Sequence, residues 1–235
     1  HLTGVDSQAE KQAWEINDQE RLSVASIYRP IQPQMVRVEQ RLDELIEGAP
    51  RGIDERLTHA LKGGGKRLRP ALTLLAGSFH KGDRESLVSM ATAIELLHTA
   101  TLVHDDTVDN ALLRRARLTV NRLWGSRDAV FLGDYLCAAS AYIAAETGNS
   151  QAMAVFSRTV TDLCRGAIGE YRTESHQCRD EYFLTVGRKT ASLFTAATEA
   201  GALLSRASKN VVVSLKEYGY NLGMAFQIVD DIHDF

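Results

Sequence analysis

The sequence predicts an all-α fold, a single-domain helical bundle. Three observations carry that expectation. Apolar residues recur at three- and four-residue intervals, the segments that hold them are rich in Ala, Leu and other helix formers, and alternating β-branched runs are few. Only four prolines interrupt the 235 residues, and a hydrophobic content of 44% is enough to bury one large core.

Taken in order, residues 1–24 are polar and mixed in charge and read as an amino-terminal arm, leaving 25–235 as the folded domain. Pro30 and Pro33 bracket a break. Met35, Val38, Leu42, Leu45 and Ile46 then mark an amphipathic helix that ends near Gly48 and Pro50. A helical turn or two over 53–61 leads into Gly63-Gly64-Gly65-Lys66-Arg67-Leu68-Arg69-Pro70. Helices follow over 71–78, 87–103, 129–145, 152–166 and 190–204, with Gly82, Gly125, Gly148 and Gly187 as punctuation between them. Abundant alanine predicts helices packed closely, some buried around most of their circumference.

Composition excludes several roles. A net charge of −3 gives no general attraction to nucleic acid. Cys137, Cys164 and Cys178 are widely spaced and odd in number, which reads as reduced thiols and a cytoplasmic location. The longest apolar stretch, 129–145, is broken by Gly133 and Asp134 and falls short of the roughly 20 residues of a spanning helix, so it reads as a core helix with no membrane anchor. No basic and then apolar leader opens the chain, so nothing supports secretion.

Two acidic clusters share the Asp-Asp-x-x-Asp spacing: Asp105, Asp106 and Asp109, then Asp230, Asp231 and Asp234. Residues four apart share a helix face, so Asp105 projects with Asp109 and Asp230 with Asp234, while Gln227 aligns with Asp230 and Asp231. Bare carboxylates so placed repel one another, and burial raises their pKa values; a divalent cation removes both penalties. Hard oxygen donors without cysteine favour Mg²⁺, which shares its coordination with waters and phosphates. Leu97, Leu102, Val103 and Val108 surround the first cluster, and Phe226, Ile228, Val229 and Ile232 the second. Solvated helix faces are not built that way.

Cations of the right sign lie nearby. Lys66, Arg67 and Arg69 beside three glycines form a diphosphate grip or, alone, a solvated basic connection. Arg114 and Arg115 follow the first cluster closely. His98, two turns before Asp105, shares its face, either serving the site or held by a backbone carbonyl. Lys189 and Thr190 after Gly187 read as a helix start whose free N–H groups suit an anion, or as a plain cap.

These motifs, in this order over about residues 63 to 235, resemble the trans-isoprenyl diphosphate synthases, or polyprenyl synthetases. The resemblance implies the isoprenoid synthase fold, helices around a central cavity, assembled as a homodimer. It implies Mg²⁺-dependent head-to-tail condensation of isopentenyl diphosphate with an allylic diphosphate, three Mg²⁺ ions being held once diphosphate is bound. By motif, Asp105, Asp109 and Asp230 are the principal metal ligands, supported by Asp106, Asp231 and Asp234. Arg114, Lys189 and Gln227, with Thr190 nearby, hold the allylic diphosphate. Lys66, Arg69, His98 and Arg115 hold isopentenyl diphosphate. The departing diphosphate takes the final proton, so no side-chain base is implied.

Chain length is implied as well. The growing tail is expected to pass Thr101, Ala100 and Leu97, and at the first two of these positions short-chain members often carry an aromatic plug. Small residues here imply an all-trans product longer than the fifteen-carbon one, and Ala100→Phe is expected to shorten it. The family's Arg-Arg-Gly-x-Pro reads Arg114-Arg115-Ala116-Arg117-Leu118, which questions the local loop shape. The chain stops after the second cluster, where relatives continue with further helices. Two rival readings are a class I terpene cyclase or head-to-head condensing enzyme, cyclases usually carrying a different second acidic motif, and a non-catalytic partner subunit, which would lack one of the clusters.

Overall fold

The structure, a computed structural model, describes residues 24–172 and 178–233. Of the expected arm, residues 1–23 lie outside the described residues, as does Asp234. Helix α1 (Val24–Tyr28) passes through a 3-10 turn at Arg29–Ile31 into α2 (Gln32–Glu47). Pro30 and Pro33 each sit in the first turn of their segment, where a missing N–H costs nothing, so the expected break is a tightened helical turn. Helix α2 buries Val38 and Leu42, and α3 (Ile53–Leu61) buries Leu57 and Leu61. Helix α4 (Leu68–Ser78) begins ahead of the expected start, because Pro70 is tolerated in its first turn.

The centre of the bundle is α5 (Arg84–Val108), capped by Asp83, whose carboxylate accepts from the amides of Glu85 and Ser86. Helices α2, α4 and α7 pack around α5, and α10 closes another side. Being enclosed, α5 is apolar on nearly every face through its middle, as the alanine content predicts. Beyond α5, an antiparallel pair, β1 (Leu113–Arg114) and β2 (Arg117–Leu118), forms a hairpin with Arg114 opposite Arg117. Then come α6 (Val120–Trp124), α7 (Ser126–Ala145), α8 (Ser150–Arg172) and α9 (Arg179–Val186). A π-helical turn at Gly187–Ala191 joins α9 to α10 (Ser192–Leu204), and α11 (Lys209–His233) ends the described chain.

Two expectations need correction. Gly187 does not start a helix: its backbone is helical, and the chain runs through the π turn, so no free N-terminal amides face a ligand there. Helix α7 is only partly core. It buries Ala129, Leu132 and Leu136 but exposes Val130, Phe131 and Tyr142. By length and composition α5 and α7 could each cross a membrane, but 78% of α5's most apolar window is buried in the bundle, against 39% for α7.

Helix α11 reaches the site by lying close on α10. A Cβ on Gly223 would sit 2.6 Å from Ala191 Cα, and one on Gly219 would sit 2.7 Å from the Phe194 carbonyl oxygen. Only glycine permits that approach.

Candidate active site

A cavity of about 710 Å³ opens between α5, α8, α9, the π turn and α11. Its wall includes Asp105 from the first acidic cluster and Asp230 and Asp231 from the second, so the fold brings the two clusters to one space. Arg69, His98, Arg114, Arg115, Lys189, Thr190 and Gln227 also line it. Lys66 is exposed and lies off the wall.

The first cluster divides. Asp105 faces the cavity, with Lys189 Nζ 3.5 Å from its carboxylate. Burial pushes its pKa up; Lys189 opposes the shift, while Glu170 and Asp109 add to it. Asp106 turns away, buried, and takes a forked set of bonds from Arg114: Nε at 2.8 and 2.9 Å and Nη2 at 2.8 Å. Asp109 caps α5, its amide bonded to the Asp105 carbonyl at 2.9 Å, and is exposed outside the wall. Asp109 keeps the expected helical spacing from Asp105 and adds to the rise in its pKa, but it ends the helix where solvent reaches it.

In the second cluster, Asp230 is exposed on the wall and Asp231 is half-buried. Both oxygens of Asp231 are taken. Gln227 Nε2 donates to one at 2.7 Å and the Tyr182 hydroxyl donates to the other, which raises the tyrosine pKa to about 12. Thr190 Oγ1 donates to Gln227 Oε1 at 2.8 Å, linking the π turn to α11. Lys189 also donates to Glu170 at 2.5 Å. Burial would lower the lysine pKa, but Glu170 and Asp105 prevail and raise it. Glu170 and Tyr182 both line the cavity, and sequence reasoning missed them; isolated residues on α8 and α9 carry no spacing signal.

Elsewhere on the wall, Arg69 lies over the Phe194 ring at 4.4 Å, and its Nη1 is 3.1 Å from His98 Nε2. Burial, with Glu95 opposing, brings the Arg69 pKa down to about 10. Its buried Nε has no hydrogen-bond partner, an orphan donor suited to an anionic oxygen. Burial, and then the charge of Arg69, hold the His98 pKa well below its ordinary value, so the neutral ring accepts the arginine's bond. Arg115 donates to the Gly64 carbonyl, and a Cβ on Gly65 would lie 2.8 Å from that guanidinium. Arg115 and Ala116 occupy the left-handed region, φ 50 and 60, so the hairpin keeps its tight turn although alanine replaces the family's glycine.

Two of the three expected chain-length residues and one cation behave differently. Thr101 lies on the wall, but Leu97 and Ala100 are each only 2% exposed and do not line the cavity. Their side of α5 is covered by neighbouring helices. Arg67, expected in the grip, turns inward to Glu39 and Glu95.

The oxygen donors on the wall suit Mg²⁺. Among the described residues no three acidic or histidine side chains form a ready-made cage. That fits an ion that completes its coordination with waters and substrate phosphates.

Fold and cavity together define an all-helical protein that sets carboxylates against cations, suited to a metal-bridged anion. The family model described as polyprenyl synthetase matches residues 50–235, and the chain belongs to that family. It is 38% identical to heptaprenyl diphosphate synthase component 2 of Geobacillus stearothermophilus, covering 91% of this chain and 68% of the relative. It is 33% identical to chloroplastic solanesyl-diphosphate synthase 2 of Oryza sativa subsp. japonica, over 92% of this chain and 56% of that one. Among solved structures, a decaprenyl diphosphate synthase from Rhodobacter capsulatus superposes with a TM-score of 0.83 at 36% identity, covering 91% of this chain and 66% of the other. A polyprenyl synthase from Caulobacter crescentus, complexed with calcium and isoprenyl diphosphate, gives 0.84 at 33% identity, over 89% and 64%. The chain therefore spans 56% to 68% of the length of these relatives.

Proposed function

We propose that this chain carries the active site of a trans-polyprenyl diphosphate synthase. The enzyme joins isopentenyl diphosphate head-to-tail to an allylic diphosphate and makes a medium- to long-chain all-trans product. The observation that carries this reading is the presence of Asp105 and Asp230, from two distant acidic motifs, on the wall of one cavity that also holds Lys189 and Arg69.

Each wall has its task. Asp105 and Asp230 would hold Mg²⁺, which when bound would supply positive charge that stabilises the departing diphosphate. Lys189 exchanges its carboxylate partners for a phosphate oxygen of the same substrate. Gln227, fixed between Thr190 and Asp231, keeps that side of the site in register. Arg69 offers its orphan Nε to isopentenyl diphosphate, and neutral His98 fixes the plane of that guanidinium. Two diphosphates held on facing walls bring the double bond to the allylic carbon, and proximity supplies much of the rate. Asp106 acts through Arg114, which it orients.

Labelled isopentenyl diphosphate supplied with an allylic primer and Mg²⁺ tests the reading. Chain elongation is expected, and Asp105→Ala or Asp230→Ala should each slow it by about a hundredfold or more. Hydrocarbon formed from the primer alone would mean cyclisation and would overturn the proposal.

The proposal extends to assembly and place. The exposed apolar outer face of α7, with Val130, Phe131 and Tyr142, supports a homodimer through that face. Light scattering should give twice the monomer mass, and Phe131→Glu should halve it. Three cysteines free of disulfides support a cytoplasmic location, tested by fractionation.

A further inference from the structure

Arg67 lies two residues before Arg69 of the proposed isopentenyl diphosphate anchor, yet it does not line the cavity. Each of its three guanidinium nitrogens donates elsewhere. Nε donates to Glu39 of α2 at 2.7 Å, Nη1 to Glu95 of α5 at 2.7 Å, and Nη2 to the Leu61 carbonyl of α3 at 2.7 Å. The side chains of Arg67 and Glu95 are only 14% and 7% exposed. Arg67 is mostly buried and off the cavity wall, so any role it has in the site is geometric.

The backbone shows what that geometry is. Arg67 sits at φ 48 and ψ 39, the left-handed region, immediately before α4 begins. A residue with a Cβ avoids this conformation unless its surroundings hold it there. Three charge-assisted or backbone bonds from one planar fork supply that hold. The turn leaves Lys66 exposed and puts Arg69 on the cavity wall, while the Tyr28 hydroxyl pins the Lys66 carbonyl at 2.7 Å. Glu95 and His98 lie one helical turn apart on α5, and they receive Arg67 and Arg69 respectively. The loop is therefore tied to α5 by two successive rungs, of which only the second touches the site.

We infer that Arg67, through its buried pair with Glu95, is a positioning residue that sets the isopentenyl diphosphate anchor and leaves the allylic half of the site untouched. The inference rests on reading Arg69 as part of that anchor.

Steady-state kinetics with each substrate varied separately tests it. Arg67→Ala strands the Glu95 carboxylate and can fail to fold, so the decisive variant is Arg67→Met with Glu95→Leu, an apolar exchange that commonly preserves stability. Circular dichroism melting checks its fold, and Glu39 retains Lys62 at 3.6 Å as a partner. The expected result is a rise in KM for isopentenyl diphosphate of about tenfold or more, with KM for the allylic primer held within about twofold. Arg67→Lys, which keeps the charge but cannot hold three acceptors in a plane, should recover only part of the loss. Equal rises in both KM values, or a lower melting point with both unchanged, would reduce Arg67 to a fold residue and overturn the inference. Arg69→Ala separates the two levels. If it leaves KM for isopentenyl diphosphate unchanged, the anchor itself is misassigned; if it raises KM while the Arg67 variants do not, the positioning role alone fails.

Discussion

Ala116 stands in a left-handed conformation, φ 60, at an exposed hairpin turn whose other central residue, Arg115, is also left-handed. A Cβ in that region costs about 1–2 kcal/mol, so Ala116→Gly should stabilise the protein by about 1 kcal/mol after glycine's extra freedom in the unfolded chain is subtracted. A melting-point rise of about 2–4 °C by calorimetry is the expected reading. His98 gives a second prediction. Its folded pKa is depressed below the ordinary value of about 6.5, so as pH falls the unfolded chain takes up the proton first. The contribution of His98 is fully present above about pH 6.5 and is lost as pH falls from there toward the folded pKa, by at most about 1.4 kcal/mol per unit. Urea unfolding at pH 7 and pH 5 should show a shallower loss in His98→Gln than in the parent. At this scale Asp105, Asp230, Lys189 and Arg69, all singled out in the sequence, line the same cavity. The sequence misassigned Arg67, because three basic residues in a row look alike until one finds buried carboxylates.

Among the elements, α5 does two jobs that the helical period separates. Asp105, Thr101 and His98 face the cavity, while Leu97 and Ala100 face the core. Thr101→Phe should therefore shorten the product, whereas Ala100→Phe should chiefly overpack the core, lowering stability by about 1–3 kcal/mol. Product length by chromatography and melting by circular dichroism separate the two outcomes. The helices themselves were readable from apolar period and alanine content, and 53–61 matches α3 residue for residue. The π turn was not. Gly187 looks like a boundary in the sequence, but its helical backbone continues α9, and its missing side chain admits the Tyr220 hydroxyl, which would lie 3.2 Å from a Cβ there.

For the molecule as a whole, the deciding event is the docking of α11 on α10. Gly219 and Gly223 let the backbones close, and that brings Asp230 into the space opened beside Asp105. Gly223→Val should force the helices apart at a cost of about 1–3 kcal/mol and remove the stabilisation that Mg²⁺ with inorganic diphosphate otherwise confers in a thermal-shift assay. The sequence by itself determined the helical class, the two acidic motifs and the basic residues that accompany them, because period, composition and spacing are local properties. Tertiary structure alone decided which carboxylates face the cavity, that Asp106 and Asp231 are occupied by Arg114, Gln227 and Tyr182, and that Glu170 joins the wall. Those choices depend on which faces of distant helices meet, and burial and pairing, unlike spacing, exist only once they have met.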